Sequence, residues 1–263
     1  MSTSRRPSWR ALAAAVASSA LLVVGCSSRA PVPGEGGTMN PDGSDADIGS
    51  YSIMAEWDGC TVLDDLAAVE EHMGITAWGT NGLLSTDIPG GMDGEAYNCT
   101  AYLAQLPAYE HRSEVTGDKT FSGNANIDVG VTPWDSDAEA TENFQVRVEQ
   151  LTWALDTGGT EYTGVVDGAF PQEAAGEWDE TYYHGGRSST GYVLSAIARR
   201  ADLVMYVFAD YSNDPAATMD KDPVYPFTDQ SYTDWILGEY LPDTYEHVMA
   251  LKAQGTQAGI AAE

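Results

Sequence analysis

The sequence predicts an α+β fold: an antiparallel sheet with helices packed on it, formed as a single domain behind a signal peptide and a flexible tether. Three observations carry this prediction. Apolar positions recur at helical spacing in three separate segments. The β-rich runs between them cluster as hairpins and do not alternate strictly with helices, so the order is helix, strands, helix, strands, helix. One stretch near the start has linker composition, no second linker follows it, and there is no internal repeat.

The chain opens with a basic region, Arg5, Arg6 and Arg10, followed by an apolar run from Ala11 to Val24. A spanning helix needs about 20 apolar residues, so this run is too short for a permanent membrane span and has the length and flanks of a secretory signal over residues 1–25. It ends in Val23-Val24-Gly25-Cys26, which resembles a bacterial lipobox. That resemblance implies diacylation of Cys26 on sulfur, a palmitate-type modification, with Cys26 as the first residue of the mature protein. Two acyl chains anchor stably where one is marginal, at about 0.8 kcal/mol per buried methylene. The expected address is the extracytoplasmic face of the cell membrane. Ser4-Arg5-Arg6 resembles the start of a twin-arginine signal, but Ser8 stands where that motif carries a bulky apolar residue, so either export route fits.

Residues 26–52 form the tether, rich in Gly, Ser, Pro and Asp with almost nothing to bury. A coil of that length reaches roughly 25–30 Å. The domain is expected over 53–252 and a C-terminal tail over 253–263. Thr61 is placed to cap a first helix whose first turn carries Asp64 and Asp65, where acidic charge complements the helix dipole. Val62, Leu66, Val69 and Met73 make its apolar stripe, and Gly74 its stop. Ile75 to Trp78 reads as a short strand, 79–94 as a Gly-rich loop, Ala96 to Leu103 and Thr120 to Val131 as strands. Ser136 and Glu139 form a capping box ahead of a second helix with Ala140, Phe144, Val148, Leu151 and Leu155 on one face. Tyr192–Ala198 and Leu203–Ala209 read as a hairpin joined by Arg199 to Asp202. An acidic loop over 210–230 precedes a last helix from Ser231 to Lys252, broken at Pro242.

The full chain has 12 basic against 40 acidic residues, and all three arginines of the leader leave with it. So acidic a surface repels nucleic acid and anionic headgroups, keeps the domain off the lipid surface and suits cations or a basic partner. Six tryptophans and fourteen tyrosines beyond the leader supply enough apolar area for a core. With Cys26 assigned to lipid, Cys60 and Cys99 remain as an even pair in an exported protein, which reads as one disulfide; a reactive thiol is the other reading. Across so long a loop, a bridge adds about 4 kcal/mol on chain entropy.

Trp57-Asp58-Gly59-Cys60-Thr61-Val62-Leu63 resembles the Asp-Pro-Cys-x-Leu-Leu start of a group of uncharacterised actinobacterial lipoproteins, and Asn98-Cys99-Thr100-Ala101-Tyr102 is similar to their Cys-Thr-Trp strand. The likeness spans roughly residues 57–252. It departs at Gly59, where those proteins carry Pro, and at Tyr102, where the aromatic comes two residues late. What it implies is a compact domain similar to the Mog1/PsbP-like fold and a bridge between Cys60 and Cys99. It brings no catalytic residue.

The chemistry that a sequence can announce is missing: no Gly-x-Ser-x-Gly, His-Glu-x-x-His, P-loop or Ser-x-x-Lys pattern occurs, and Lys119-Thr120 is followed by Phe121 where a penicillin-binding motif needs Gly. His72, His111, His184 and His247 are scattered and read as surface or helix-face residues. Three segments hold groups that can bind something. Tyr182 to Ser189 joins aromatics, His184, a Gly pair and Arg187, a combination suited to a sugar or anion, or else a plain strand connection. Asp210, Asn213, Asp214, Asp220 and Asp222 crowd oxygen ligands for Ca²⁺, without EF-hand spacing. Glu177, Asp179 and Glu180 flank Trp178, as paired carboxylates do in glycoside hydrolysis. Taken together, the sequence predicts a non-enzymatic envelope lipoprotein, a binding or interaction module for a small-molecule ligand or an envelope protein, with no catalytic residue, no metal and no cofactor. The alternative is a secreted hydrolase of unfamiliar type acting on an envelope substrate.

Overall fold

The computed structural model describes residues 53–54, 57–91, 94–113, 115–157, 163–168, 176–187 and 190–260. The chain falls into two units, Met1–Ala46, which lies outside the described residues together with the lipobox and most of the tether, and Asp47–Glu263. The second unit is an α+β fold.

Its first helix is interrupted. Asp58, one turn earlier than expected, provides the cap, its carboxylate accepting the Thr61 N–H at 2.8 Å to open α1 (Gly59–Val62). That hydrogen bond leads the causes that hold the Asp58 carboxyl below its ordinary value. The backbone then passes through Asp64, Asp65 and Leu66 at φ of 52°, 49° and 56°, a single left-handed turn, before α2 (Ala67–Met73). Two constraints on α1 account for the break. Cys60 is bonded to Cys99 with Cα atoms 4.5 Å apart, and a Cβ on Gly59 would strike the backbone of Asn98, so α1 is clamped to the sheet. The left-handed turn then redirects the chain so that Leu66, Val69 and Met73 join Val62 in the core. Gly74, at φ 64°, ends α2 as its conformation requires.

Seven antiparallel strands follow in the spatial order β1-β2-β5-β9-β8-β7-β6. β1 (Leu83–Gly91) occupies most of the segment expected to be a Gly-rich loop. It is an edge strand, where Pro89 removes no needed donor, and its pairing with β2 (Gly94–Gln105) slips between Ile88 and Gly91. The expected strand over Thr120–Val131 is two: β4 (Lys119–Phe121) pairs only with β3 (Tyr109–His111), and β5 (Asn124–Pro133) enters the main sheet. α3 (Asp137–Thr157) starts at the predicted Ser136 box, Ser136 Oγ accepting the Glu139 N–H at 3.3 Å. β6 (Thr163–Gly168), a short edge strand, and β7 (Glu180–Arg187) complete one side. β8 (Gly191–Arg200) and β9 (Leu203–Ser212) form the predicted hairpin with a tighter connection, only Ala201 and Asp202, since Arg199 and Arg200 pair with Val204 and Leu203.

The C-terminal segment begins at α4 (Asp229–Trp235), capped by Thr228, widens to a π-helical stretch over Ile236–Tyr240 and resumes as α5 (Leu241–Ile260). Pro242 donates no N–H and crowds the carbonyl four residues back. The π turn immediately ahead of it absorbs that mismatch without ending the helix. The helix runs on through Ile260. Just ahead of Ala253, Leu251 packs on the core and the Lys252 ammonium meets Asp202 at 3.2 Å.

One face of the sheet, with Tyr97, Cys99, Ile127, Val129, Leu194, Met205 and Val207, is buried with α1, α2, α4 and α5. The opposite face is partly covered by α3, through Ala140 and Phe144 against Ile197 and Val204.

Candidate functional site

Among the described residues, the groups singled out from the sequence are mostly consumed by the fold itself. The Cys60–Cys99 disulfide is present, with both residues buried. Cys26 lies outside the described residues. The segment Tyr182–Arg187 is strand β7, and His184 is buried there, contrary to a surface reading. His111 sits on β3, His72 on α2 and His247 on α5.

The acidic loop is organised by Asp214. Its carboxylate accepts four backbone N–H groups, from Ala216 at 2.8 Å, Ala217 at 3.0 Å, Val224 at 2.8 Å and Tyr225 at 2.7 Å. This is a loop staple. No group of three His, Cys, Asp or Glu side chains converges to hold a metal ion among the described residues.

The carboxylates around Trp178 are paired with arginine. Arg199, with only 8% of its side chain exposed, reaches Glu180 at 2.6 Å, Asp137 at 2.6 Å and Asp179 at 3.4 Å. Burial opposes its charge, but the hydrogen bond and charge of Glu180, then Asp137 and Asp179, more than offset this and raise its pKa. Arg200 lies over the Tyr245 ring at 4.9 Å and pairs with Glu177 at 2.9 Å and Glu246 at 3.9 Å. A shallow cleft of about 210 Å³ remains here, and Arg200 occupies its cationic position.

A second polar cluster lies on the sheet face beside α3. Asp128 accepts from Thr100 at 2.9 Å, Asn98 at 3.2 Å and Tyr206 at 3.5 Å. Burial raises its pKa, and these donors with nearby Arg147 only partly offset it. Arg147 in turn covers the Tyr206 ring at 5.1 Å and bonds Asn143 and Thr132. Here too each named group has a protein partner.

A second cleft, about 250 Å³, is different. Two irregular backbone segments meet at it. Asp64 comes from the left-handed turn, whose non-glycine residues each carry about 1 kcal/mol of strain or more, and Tyr240 closes the π-helical stretch. Val62, Leu63 and Ala68 form one wall; Trp235, Asp243, Thr244 and His247 form the other. Trp235 is held between His72, stacked at 4.0 Å, and Tyr240 at 5.0 Å. Burial lowers the pKa of His72, with the Glu239 charge opposing. Tyr240 is 6% exposed and its hydroxyl is buried. Burial raises its pKa, a hydrogen bond with the Thr244 side chain offsets part of the rise, and the Asp64 charge adds to it. Neither Asp64 nor Asp243 makes an ion pair with a described residue, and no described Lys or Arg lines the cleft. This arrangement can take up a compact ligand with an apolar body and a polar or cationic head.

Sequence reasoning did not single out Tyr240, Asp243 or Thr244. The available signal was Pro242 inside a helical pattern, since the helical irregularity such a residue imposes is a recurrent feature of functional sites. The chain matches no family model, no curated protein and no solved structure.

Proposed function

We propose that the protein is a membrane-anchored envelope lipoprotein, held by a diacylated Cys26, whose folded domain acts as a non-enzymatic binding module with the Asp64–Tyr240 cleft as its ligand site. The observation that carries this reading is the cleft itself, about 250 Å³, in which Asp64 and Asp243 lie beside Trp235 and Tyr240 with no described Lys or Arg among the lining residues. The strained turn at Asp64–Leu66 supports the same reading, because such conformations recur at ligand sites. The carboxylates that suggested glycoside hydrolysis face arginines, which supports the non-enzymatic reading.

The anchor rests on the lipobox pattern, and no described helix is long and apolar enough to cross a membrane. Cys26→Ser is expected to move the protein from the membrane fraction to the soluble one; retention would overturn the anchor. Native mass spectrometry of protein extracted gently from its own envelope tests the binding role. A reproducible small-molecule adduct, lost in Tyr240→Phe, is the expected result. An adduct that persists in that variant would put the ligand elsewhere.

A further inference from the structure

The face of the sheet that α3 covers only in part holds a further cleft, of about 270 Å³. Its floor is two neighbouring cross-strand pairs of the β8–β9 hairpin, Ser195 with Phe208 and Ile197 with Tyr206. Its roof is one side of α3, where Arg147, Gln150 and Leu151 stand at i, i+3 and i+4. Nearer its N-terminus α3 closes on the sheet, with Ala140 and Phe144 against Ile197 and Val204. By Leu151 the packing is only partial, and the Phe208 ring is left 38% exposed.

Ser195 sets this cleft apart. It is 7% exposed, it lines the cleft, and its hydroxyl has no hydrogen-bond partner among the described residues. A hydroxyl kept from water in that condition is unfavourable, and a ligand oxygen would complete it. The charge of the lining is also inverted. The chain holds 40 acidic residues against 12 basic ones, and the other two clefts carry Glu177 with Glu246 and Asp64 with Asp243. Here Arg147 supplies the charge, and no described Asp or Glu is in the lining. Asp128, which the Tyr206 hydroxyl meets at 3.5 Å, is engaged by Thr100 and Asn98 behind it. A cation would thus find no acid to meet, and a wholly apolar molecule would leave Ser195 as it is. The volume is just below that of drug-sized sites and fits a short chain.

We propose that this cleft binds a small monocarboxylate with a short apolar chain. The chain lies along Phe208, Ile197 and Leu151. The carboxylate lies between the Arg147 guanidinium and the Ser195 hydroxyl, which donates to it. This site is additional to the Asp64–Tyr240 cleft and does not depend on it.

The test is a ¹H–¹⁵N NMR titration of the full-length protein with hexanoate, hexan-1-ol and hexylammonium, at ionic strength matched with sodium chloride. The expected result is saturable movement of the Ser195 and Phe208 amide signals with hexanoate, with the other two probes at least about tenfold weaker. Ser195→Ala removes one oxygen and is expected to weaken hexanoate about fivefold. Phe208→Ala, at an exposed position, is expected to weaken hexanoate and hexan-1-ol alike. Asp243→Asn, in the other cleft, is expected to leave hexanoate binding unchanged. Hexan-1-ol bound as tightly as hexanoate would overturn the carboxylate. Hexanoate binding that Ser195→Ala leaves unchanged, that Asp243→Asn weakens, or that moves neither the Ser195 nor the Phe208 signal would overturn the site, and so would no binding of any probe.

Discussion

Two parts of this domain set carboxylates beside aromatic rings, and they end in opposite conditions. Around Trp178, Glu177, Asp179 and Glu180 all reach Arg199 or Arg200, and Trp178 meets Tyr245 edge-on at 5.4 Å. Around Trp235, Asp64 and Asp243 face no described arginine or lysine. The first cluster is finished by its own chain, because the β8–β9 hairpin brings two adjacent arginines to it. The second is assembled from a strained turn and a π-helical stretch that deliver acids and aromatics alone. The same ingredients are thus paired with arginine in one place and left without a described cation in the other. What separates them is whether a cation lies in reach along the chain.

The contrast can be broken at several points. The largest effect is expected at the clamp that holds the cleft's floor. Replacing Cys60 and Cys99 together by Ser removes a bridge across 39 residues of separation, a loss of about 4 kcal/mol on chain entropy, read as a fall in the urea midpoint. A midpoint that barely moves would mean that α1 stays on the sheet without the bond. Next comes Arg199→Met, which strands three carboxylates. Because Asp137 and Asp179 are substantially exposed, we expect about 2 kcal/mol of destabilisation, less than for a fully buried pair. Tyr240→Phe comes next, with a loss of about 1 kcal/mol, since it removes the buried hydroxyl's hydrogen bond with Thr244. Unchanged stability would show that this bond contributes nothing to the fold.

The smallest effect is in pH dependence. His72 has a folded-state pKa below its ordinary value of 6.5, so the unfolded chain binds its proton first as pH falls. Stability is therefore fully retained above about 6.5 and declines as pH drops toward the lowered value. His72→Phe keeps a ring against Trp235 and should flatten that part of the profile. Parallel wild-type and variant profiles between pH 5 and 7, by denaturant melts, would place the His72 ring in water.

The sequence made the fold class legible through periodicity, and the best-read elements were those with strong local signals: the Ser136 box, the β8–β9 hairpin, the Gly74 stop and the alternating strand around Cys99. The errors have tertiary causes. β1 was hidden by Pro89 and two glycines, which an edge strand tolerates. The break in the first helix comes from the approach of Gly59 to β2 and the disulfide, neither of which is visible in the apolar stripe. The cleft was illegible for a similar reason: Asp64 and Tyr240 are far apart in sequence, and each looks ordinary on its own helix. The acids that stood out, in the loop around Asp214 and beside Trp178, did so by local density, and local density is where backbone N–H groups and arginines also gather.

The most direct measurement follows the indole N–H signals of Trp235 and Trp178 by ¹H–¹⁵N NMR as a small-molecule extract of the protein's own envelope is added. The account predicts that the Trp235 signal moves saturably while that of Trp178 stays, because the carboxylates beside Trp178 are already paired with Arg199 and Arg200. A Trp178 signal that moves while that of Trp235 stays still would contradict it.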